Sequence, residues 1–159
     1  MDGFRVREGR VADRFVIAAM WRELMALHHN LDARFVIAAD GEKKYARYVQ
    51  DTIRSDDGVV FVAEEGATGL MRGYLLGELQ ARPPKAMPGL YGFISDLYVS
   101  EEWRHRGVGS ALFEEMRLWS KAHKAIALEL YVSESNPAAL AFWQSMGLEP
   151  LLKLVHLDL

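Results

Sequence analysis

The fold is decided by residues 97–110, which read LYVSEEWRHRGVGS. The apolar run from Tyr91 to Val99 predicts a strand before this loop, and the pattern after it predicts a helix through about His123. Glycine-containing backbone at a helix start directs several N–H groups toward one point, and the helix dipole adds partial positive charge there. Arg104 and Arg106 add full charges. The stretch therefore predicts a site for a phosphate or pyrophosphate.

Two familiar phosphate loops do not fit this stretch. The nucleotide P-loop needs a lysine directly after its second glycine, whereas Gly109 is followed by Ser110 and Ala111. The dinucleotide fingerprint needs glycine or alanine where Leu112 stands. Taken alone, the loop is equally consistent with a tight turn that carries solvated arginines and binds nothing.

Working outward, the chain predicts a mixed sheet with helices on both faces, an α/β fold. Pro137 suits the first turn of a helix, Asn136 suits its N-cap, and Gly147 suits the position past its end. Residues 82–89, rich in proline, predict an irregular loop. The remaining predicted strands are Phe4–Glu8, Val59–Ala63, Met71–Leu79, Ile126–Val132 and Leu151–Leu159, and the remaining predicted helices span 11–28 and 42–53.

Composition limits the classes of function. The 159 residues carry a net charge of −3, which gives no electrostatic reason to expect nucleic acid or an anionic membrane as partner. The absence of cysteine excludes disulfides, zinc–thiolate sites and a cysteine nucleophile. No metal site is predicted, because His28 and His29 lack zinc-helix spacing and suit a solvated helix end. We expect one cytoplasmic domain over residues 1–159, since no signal peptide is visible.

Two motifs place the loop in a family. The run Leu97-Tyr98-Val99 followed by Arg104-x-x-Gly107-x-Gly109 resembles motif A of the GNAT acyltransferases, and residues 128–148 resemble their motif B. The resemblance implies a centrally splayed mixed sheet. It also implies transfer of an acyl group, in the first place acetyl, from acyl-CoA to a primary amine of a small molecule or protein. A homodimer is a family-level expectation.

The resemblance also implies a binding site for acetyl-CoA. Backbone groups of Leu97, Tyr98 and Val99 would bind the pantetheine arm, because diverging strands leave N–H and C=O groups unpaired. Asn136 matches a position that contacts the cofactor, although it could serve only as an N-cap. The pyrophosphate would be held by the backbone N–H groups of Arg104, His105, Arg106, Gly107, Val108, Gly109 and Ser110.

The catalytic residues are less well defined by the resemblance. Trp143 stands where many members have a tyrosine acid, so either the thiolate leaves unassisted, or Tyr98 or Tyr131 helps, or catalysis is poor. Members with a glutamate base carry Glu-Asp where this chain has Ser95-Asp96. Strand alternation places Asp96 on the opposite face from Ser95.

Asp96 is the candidate base, and Glu78 is a second carboxylate that could reach the acceptor. Trp21, Phe35 and Tyr45 could line the acceptor pocket but suit the core better. A non-catalytic acyl-CoA sensor is the alternative function, because Trp143 and Ser95 both depart from the family pattern.

Overall fold

The computed structural model describes residues 3–82 and 89–159, so most of the predicted loop at 82–89 lies outside the described residues. Five strands form one sheet in the order β1-β2-β3-β4-β5; the first three pairings are antiparallel and β4–β5 is parallel. The strands are β1 Phe4–Glu8, β2 Gly58–Glu65, β3 Met71–Ala81, β4 Leu90–Val99 and β5 Leu128–Leu130, and the helices are α1 Arg14–Leu31, α2 Gly41–Arg54, α3 Val108–Ala122 and α4 Pro137–Ser145.

Helices cover both faces of the sheet, as the sequence predicts. On one face α1 and α2 pack side chains such as Ile17 and Val49 against β2, β3 and β4. On the other face α3 packs Leu112 and Met116. These side chains recur at helical spacing, so each helix presents one apolar stripe to the sheet. Within the described ranges no helix is long and apolar enough to cross a bilayer.

The centre of the sheet is the centre of the core. Tyr74, Leu75 and Leu76 of β3 are fully buried. In β2, Val62 is also fully buried and Val60 is 2% exposed. A strand that is covered on both faces has no solvent side, so it reads as a continuous apolar run. The β-branched run in β2 follows this rule.

The sheet opens between β4 and β5. The two strands pair only where Gly92, Phe93 and Ile94 face Leu128, Glu129 and Leu130. Beyond Ile94 the second half of β4 continues to Val99 without pairing to β5. The predicted central splay is therefore confirmed.

Three predicted boundaries are wrong. β5 is limited to Leu128–Leu130 instead of 126–132, because it is an edge strand with a partner on one side only. Helix α1 continues to Leu31, so His28 and His29 lie in its last turn. Residues 151–159 form no strand and their side chains are exposed. Alternating sequence yields a strand only when a neighbouring edge pairs with it.

Candidate active site

A β-bulge in β4 shapes the site. Asp96 pairs with Leu76 and Ile94 pairs with Gly77, which leaves Ser95 without an opposite residue. An extra residue breaks the alternation of side chains along a strand. The hydroxyl oxygens of Ser95 and Tyr48 lie 3.4 Å apart, and the Tyr45 hydroxyl donates to Asp96 Oδ2 at 2.7 Å.

Tyr45 and Tyr48 both belong to α2. Ser95 and Asp96 therefore face the same helix, and the prediction that they lie on opposite faces is wrong. The cause is the bulge, which alternation along an uninterrupted strand could not reveal.

The bulge also determines which backbone groups of β4 face the opening. The Ser100 N–H donates to the Arg72 carbonyl at 2.8 Å, which makes these two residues a hydrogen-bonded pair of the β3–β4 ladder. Because such pairs alternate, the backbone of Tyr98 faces β3, while the backbones of Leu97 and Val99 face away from it. Of the three residues predicted to bind by their backbone, two face the opening and Tyr98 does not.

No side chain caps the start of α3. Gly107 occupies its N-cap with φ of +83° and supplies no side chain. No described residue accepts a hydrogen bond from the N–H groups of Val108, Gly109 or Ser110. A Cβ on Gly107 would meet nothing within 4 Å, so open space lies beside this turn. Three free donors at a helix N-terminus next to open space suit an anion.

Gly109 has a different role from Gly107. A Cβ at Gly109 would lie 3.3 Å from the ring of Phe142 in α4, so glycine allows the two helices to approach closely. This contact brings the loop of the first motif against the helix of the second. Gly109 is therefore a packing position as well as a donor.

The two arginines of the loop are packed against neighbouring groups. Arg104 Nε donates to the Val99 carbonyl at 3.0 Å, and its guanidinium lies 6.0 Å from the Tyr98 ring centroid. The guanidinium of Arg106 lies 5.3 Å from the Trp103 ring centroid. The Arg104 contact links the loop to the end of β4.

Asp96 lies in a cluster of hydroxyl groups. Tyr45, its hydrogen-bond donor, also has its hydroxyl 3.4 Å from that of Tyr74. Burial raises the pKa of the Asp96 carboxyl, and the Tyr45 hydrogen bond and the nearby His28 oppose that rise. Burial likewise lowers the pKa of His28. A carboxyl whose proton affinity is raised by a poorly hydrated environment suits proton transfer near neutral pH.

The sequence missed two residues of this region: His28, which was assigned to a solvated helix end, and Glu23, which was not predicted at all. His28 is half-buried and faces Asp96, so its assignment to a solvated helix end is wrong. The Tyr98 hydroxyl donates to a carboxylate oxygen of Glu23 in α1. Burial, together with this hydrogen bond, raises the pKa of Tyr98 to about 12. Nothing in the helical pattern of α1 distinguishes Glu23 from its other charged positions.

The aromatic residues proposed for the acceptor pocket differ in how far they are buried. Tyr45 is buried, and Trp21 stacks on it with ring centroids 4.5 Å apart. Phe35 is 38% exposed, and its ring lies 5.5 Å from His28. Phe35 and His28 therefore border the outer side of the Asp96 cluster, while Tyr45 forms its floor.

The remaining predicted residues lie outside this cluster. Tyr131, directly after β5, is 81% exposed and its ring lies 5.4 Å from that of Phe93. Asn136 Oδ1 accepts from the Ala139 N–H at 3.0 Å, which is the predicted N-cap. Trp143 packs edge-on against Phe142 and Phe113. Glu78 accepts a hydrogen bond from Gln80 and has none with the Asp96 cluster.

The opening in the sheet therefore lies beside a helix start with free N–H donors. The sequence profile of the acetyltransferase (GNAT) family covers residues 20–148. The chain belongs to the GNAT acetyltransferase family. GNAT proteins use acyl-CoA and an acceptor substrate, and the residues present fit acyl-CoA. The opening supplies backbone groups for an amide-rich arm, and the start of α3 supplies donors for phosphate.

Solved structures agree with this GNAT assignment. The tetramutant of the BH1408 protein from Bacillus halodurans has 25% identity and a TM-score of 0.87, with 98% of this chain and 99% of that chain covered. Aminoglycoside N-acetyltransferase AAC(6')-Iy in complex with CoA has 14% identity and a TM-score of 0.76 over 99% and 95%.

A third solved structure is similar as well. Glucosamine-6-phosphate N-acetyltransferase from Arabidopsis thaliana has 18% identity and a TM-score of 0.71, with 99% of both chains covered. The last two likenesses show the fold. The comparison with curated proteins gave no match.

Proposed function

We propose that this protein transfers an acyl group, acetyl in the first place, from acyl-CoA to the primary amine of a small molecule or protein. A single domain spanning residues 1–159 would carry the activity. The observation that supports it most directly is the opening between β4 and β5. There the backbone N–H and C=O of Leu97 and the N–H of Val99 face the opening beside the start of α3, while the Val99 carbonyl accepts from Arg104.

Acyl-CoA would be held mainly by backbone. The N–H and C=O groups of Leu97, which face the opening, would bind the pantetheine amides as a missing strand would. The N–H groups of residues 104–110 would bind the pyrophosphate, with those of Val108, Gly109 and Ser110 best placed to do so. Arg104 and Arg106 would add long-range attraction, and Asn136 would act chiefly through its cap on α4.

Asp96 is the proposed base. Its Oδ2 accepts from Tyr45, while Oδ1 has no donor among the described residues and is free to take a proton from the amine. The reaction requires a neutral amine, because a protonated nitrogen has no lone pair to attack the thioester. The Val99 N–H, which faces the opening, would stabilise the negative charge that develops on the thioester oxygen.

Tyr131 is the proposed acid for the leaving thiolate. It lies on the β5 side of the opening, and its exposure leaves the hydroxyl free to reach a ligand placed there. Trp143 cannot take this role, because its indole N–H is far too weak an acid and its ring packs between α3 and α4. Tyr98 donates to Glu23, which makes it the weaker candidate.

The decisive experiment is an acceptor screen with acetyl-CoA. Because the chain has no cysteine, a thiol reagent in the assay reports only the CoA that is released. We expect release that depends on a primary amine, with the acylated amine identified by mass spectrometry. Binding of acetyl-CoA with no turnover on any amine would favour the sensor instead, and no binding at millimolar ligand would rule out both.

A matched pair of glycine variants tests the anion site. Gly107 and Gly69 both have positive φ, +83° and +70°, and a Cβ on either would meet nothing within 4 Å. Gly107→Val and Gly69→Val therefore impose similar backbone strain, but only the first alters the helix start. We expect Gly107→Val to weaken CoA binding at least about ten-fold and Gly69→Val to leave it unchanged, measured by calorimetry. Equal affinities in the two variants would contradict the placement of the pyrophosphate.

The proposed base is tested by its pH profile. Asp96→Asn should lower kcat by roughly a hundred-fold or more, the usual contribution of a general base. In the wild type, activity should rise as the pH passes upward through the raised pKa of Asp96, since only the carboxylate accepts a proton. Tyr131→Phe should lower kcat and leave that ascending limb in place. An Asp96→Asn variant with normal turnover would assign the base elsewhere.

A further inference from the structure

Arg72, near the start of β3, holds the short turn that leads from β4 toward the start of α3. Its carbonyl accepts from the Ser100 N–H at 2.8 Å and from the Ser100 Oγ at 3.1 Å. Its guanidinium lies 5.7 Å from the ring centroid of Trp103, three residues further along the turn. Trp103 is 5% exposed and belongs to the same buried cluster as Val108, the first residue of α3. The backbone and the side chain of Arg72 therefore contact both ends of this turn.

The ring of Trp103 also carries a second guanidinium. The guanidinium of Arg106 lies 5.3 Å from the same ring centroid, a distance at which a cation is attracted to the face of an indole. Arg106 directly precedes Gly107, the N-cap of α3. Its side chain forms no hydrogen bond and no ion pair with a described residue. The charge of Arg106 is therefore available to a ligand.

The carboxylate of Glu65, at the end of β2, is within electrostatic reach of that charge. Its Oε2 accepts from the Thr68 hydroxyl at 2.6 Å and from Nε and Nη2 of Arg72 at 3.1 Å and 2.6 Å. These hydrogen bonds hold the pKa of the Glu65 carboxyl below its usual value, and the charges of Arg72 and Arg106 act in the same direction. All three donors bind Oε2, so Oε1 keeps its capacity for a further donor.

Glu65 and a phosphate would compete for the same guanidinium. An arginine presents a planar fork of donors that fits a carboxylate and a phosphate equally well. With Arg72 bound to Glu65, the two opposite charges largely cancel at a distance. Without Arg72 the carboxylate would attract Arg106 and repel an anionic ligand at the start of α3.

We propose that Arg72 is a positioning residue for acyl-CoA, which occupies Glu65 and so leaves Arg106 to the phosphates of the ligand. This inference rests on the proposed function, because it needs an anion at the start of α3. It assigns the end of the β2–β3 hairpin a part in acyl-CoA affinity. Glu65 then lowers that affinity wherever Arg72 does not pair with it.

Removal of the Arg72 charge, with and without Glu65, tests the inference. Arg72→Gln should raise the dissociation constant for CoA roughly three-fold to five-fold by calorimetry, because Glu65 then competes for Arg106. Glu65→Gln combined with Arg72→Gln should bring the constant back to within about two-fold of the wild type. The double variant still lacks the Arg72 guanidinium beside Trp103, so a displaced turn would not be rescued.

Two further variants serve as controls. Arg72→Lys keeps a positive charge beside Glu65 but loses the planar fork, so its affinity for CoA should lie between those of the wild type and Arg72→Gln. Arg117→Gln breaks a similar pair with Glu114, whose hydrogen bonds of 2.7 Å and 2.6 Å lie in the second half of α3. It makes the same change of net charge and should leave CoA affinity unchanged. Circular dichroism confirms that each variant is folded.

Salt separates competition between charges from displacement of the turn. The loss of affinity in Arg72→Gln should shrink as the salt concentration rises from about 50 mM to about 500 mM, because exposed charges are screened over shorter distances. A displaced turn would weaken CoA binding by the same factor at both concentrations.

The outcomes distinguish this inference from the proposed function. An Arg72→Gln variant that binds CoA as the wild type does would overturn the inference and leave the proposed function in place. A loss of affinity that Glu65→Gln does not relieve would do the same. A wild type that does not bind CoA at millimolar concentration would overturn both.

Discussion

The two ends of this sheet differ in how far their apolar residues are buried. Strands β2 to β4, with α1, α2, α3 and Trp103 in the turn before α3, contain every buried apolar side chain in the described part of the chain, from Ile17 to Met116. Residues 126–159 contain none, yet their sequence is equally apolar. The difference is whether a covering layer exists within the chain. A hydrophobic pattern specifies a surface to be buried, but it does not specify which molecule buries it.

The contrast is clearest between two helices. α3 buries Leu112 and Met116 against the sheet, and its opposite face is charged. α4 has apolar residues on most of its circumference but no buried residue. A helix that is apolar on all sides is normally buried on all sides. In α4, by contrast, the described residues leave every side chain at least partly exposed.

The largest effect we expect comes from equal truncations in the two helices. Leu112→Ala, at a fully buried position, should lower the free energy of unfolding by about 3 kcal/mol, because it leaves a cavity. Leu140→Ala, at a position 37% exposed, should cost less than about 1 kcal/mol. Urea unfolding of the two variants and the wild type measures both changes. Equal losses would show that α4 is as well packed as α3.

A smaller effect is expected from ion pairs in the two regions. Hydrogen bonds from Arg7, and further ones from Arg5, hold the pKa of the buried Glu64 carboxyl below its usual value. That stabilisation is present above the pKa of the unfolded chain and is lost as the pH falls through the lower pKa of the folded chain. In Glu64→Gln the free energy of unfolding should therefore fall less steeply as the pH is lowered into the acid range.

The control for this prediction is Glu134→Gln. Glu134 and Lys153 are 78% and 72% exposed, and such pairs contribute almost nothing. Its unfolding curves from neutral to acid pH should overlay those of the wild type. An acid limb that changes in both variants would indicate a charge effect shared by the whole surface.

The smallest effect concerns the cap of α4. Asn136→Ala removes the acceptor of the Ala139 N–H and should cost about 1 kcal/mol. Because α4 is held by few contacts, the loss should appear locally, as faster amide exchange in α4 by roughly five-fold. Asn136→Ser, which retains an acceptor, should exchange at nearly the wild-type rate. Faster exchange in α3 as well would show that α4 unfolds together with the core.

Much of the fold and of the acyl-CoA site could be predicted from local sequence. The apolar stripes of α1 to α3, the strands β1 to β4 and the helix start at Gly107 follow from periodicity and glycine placement, which act over a few residues. The bulge at Ser95 could not be predicted, because it arises from the register between β3 and β4. The pairing of Asp96 with Tyr45 and His28 depends on packing between distant segments.

By itself the sequence determined the order of the elements from β1 to α4, the start of α3 at a glycine and the family. These depend on short spacings that any homologous backbone satisfies. Only the tertiary structure decided that Leu97 and Val99 face the opening, that Asp96 turns toward α2 and that residues 151–159 pair with no described strand. Each of these depends on hydrogen-bond register or burial between remote segments. Neither property can be read from the residues of one segment alone.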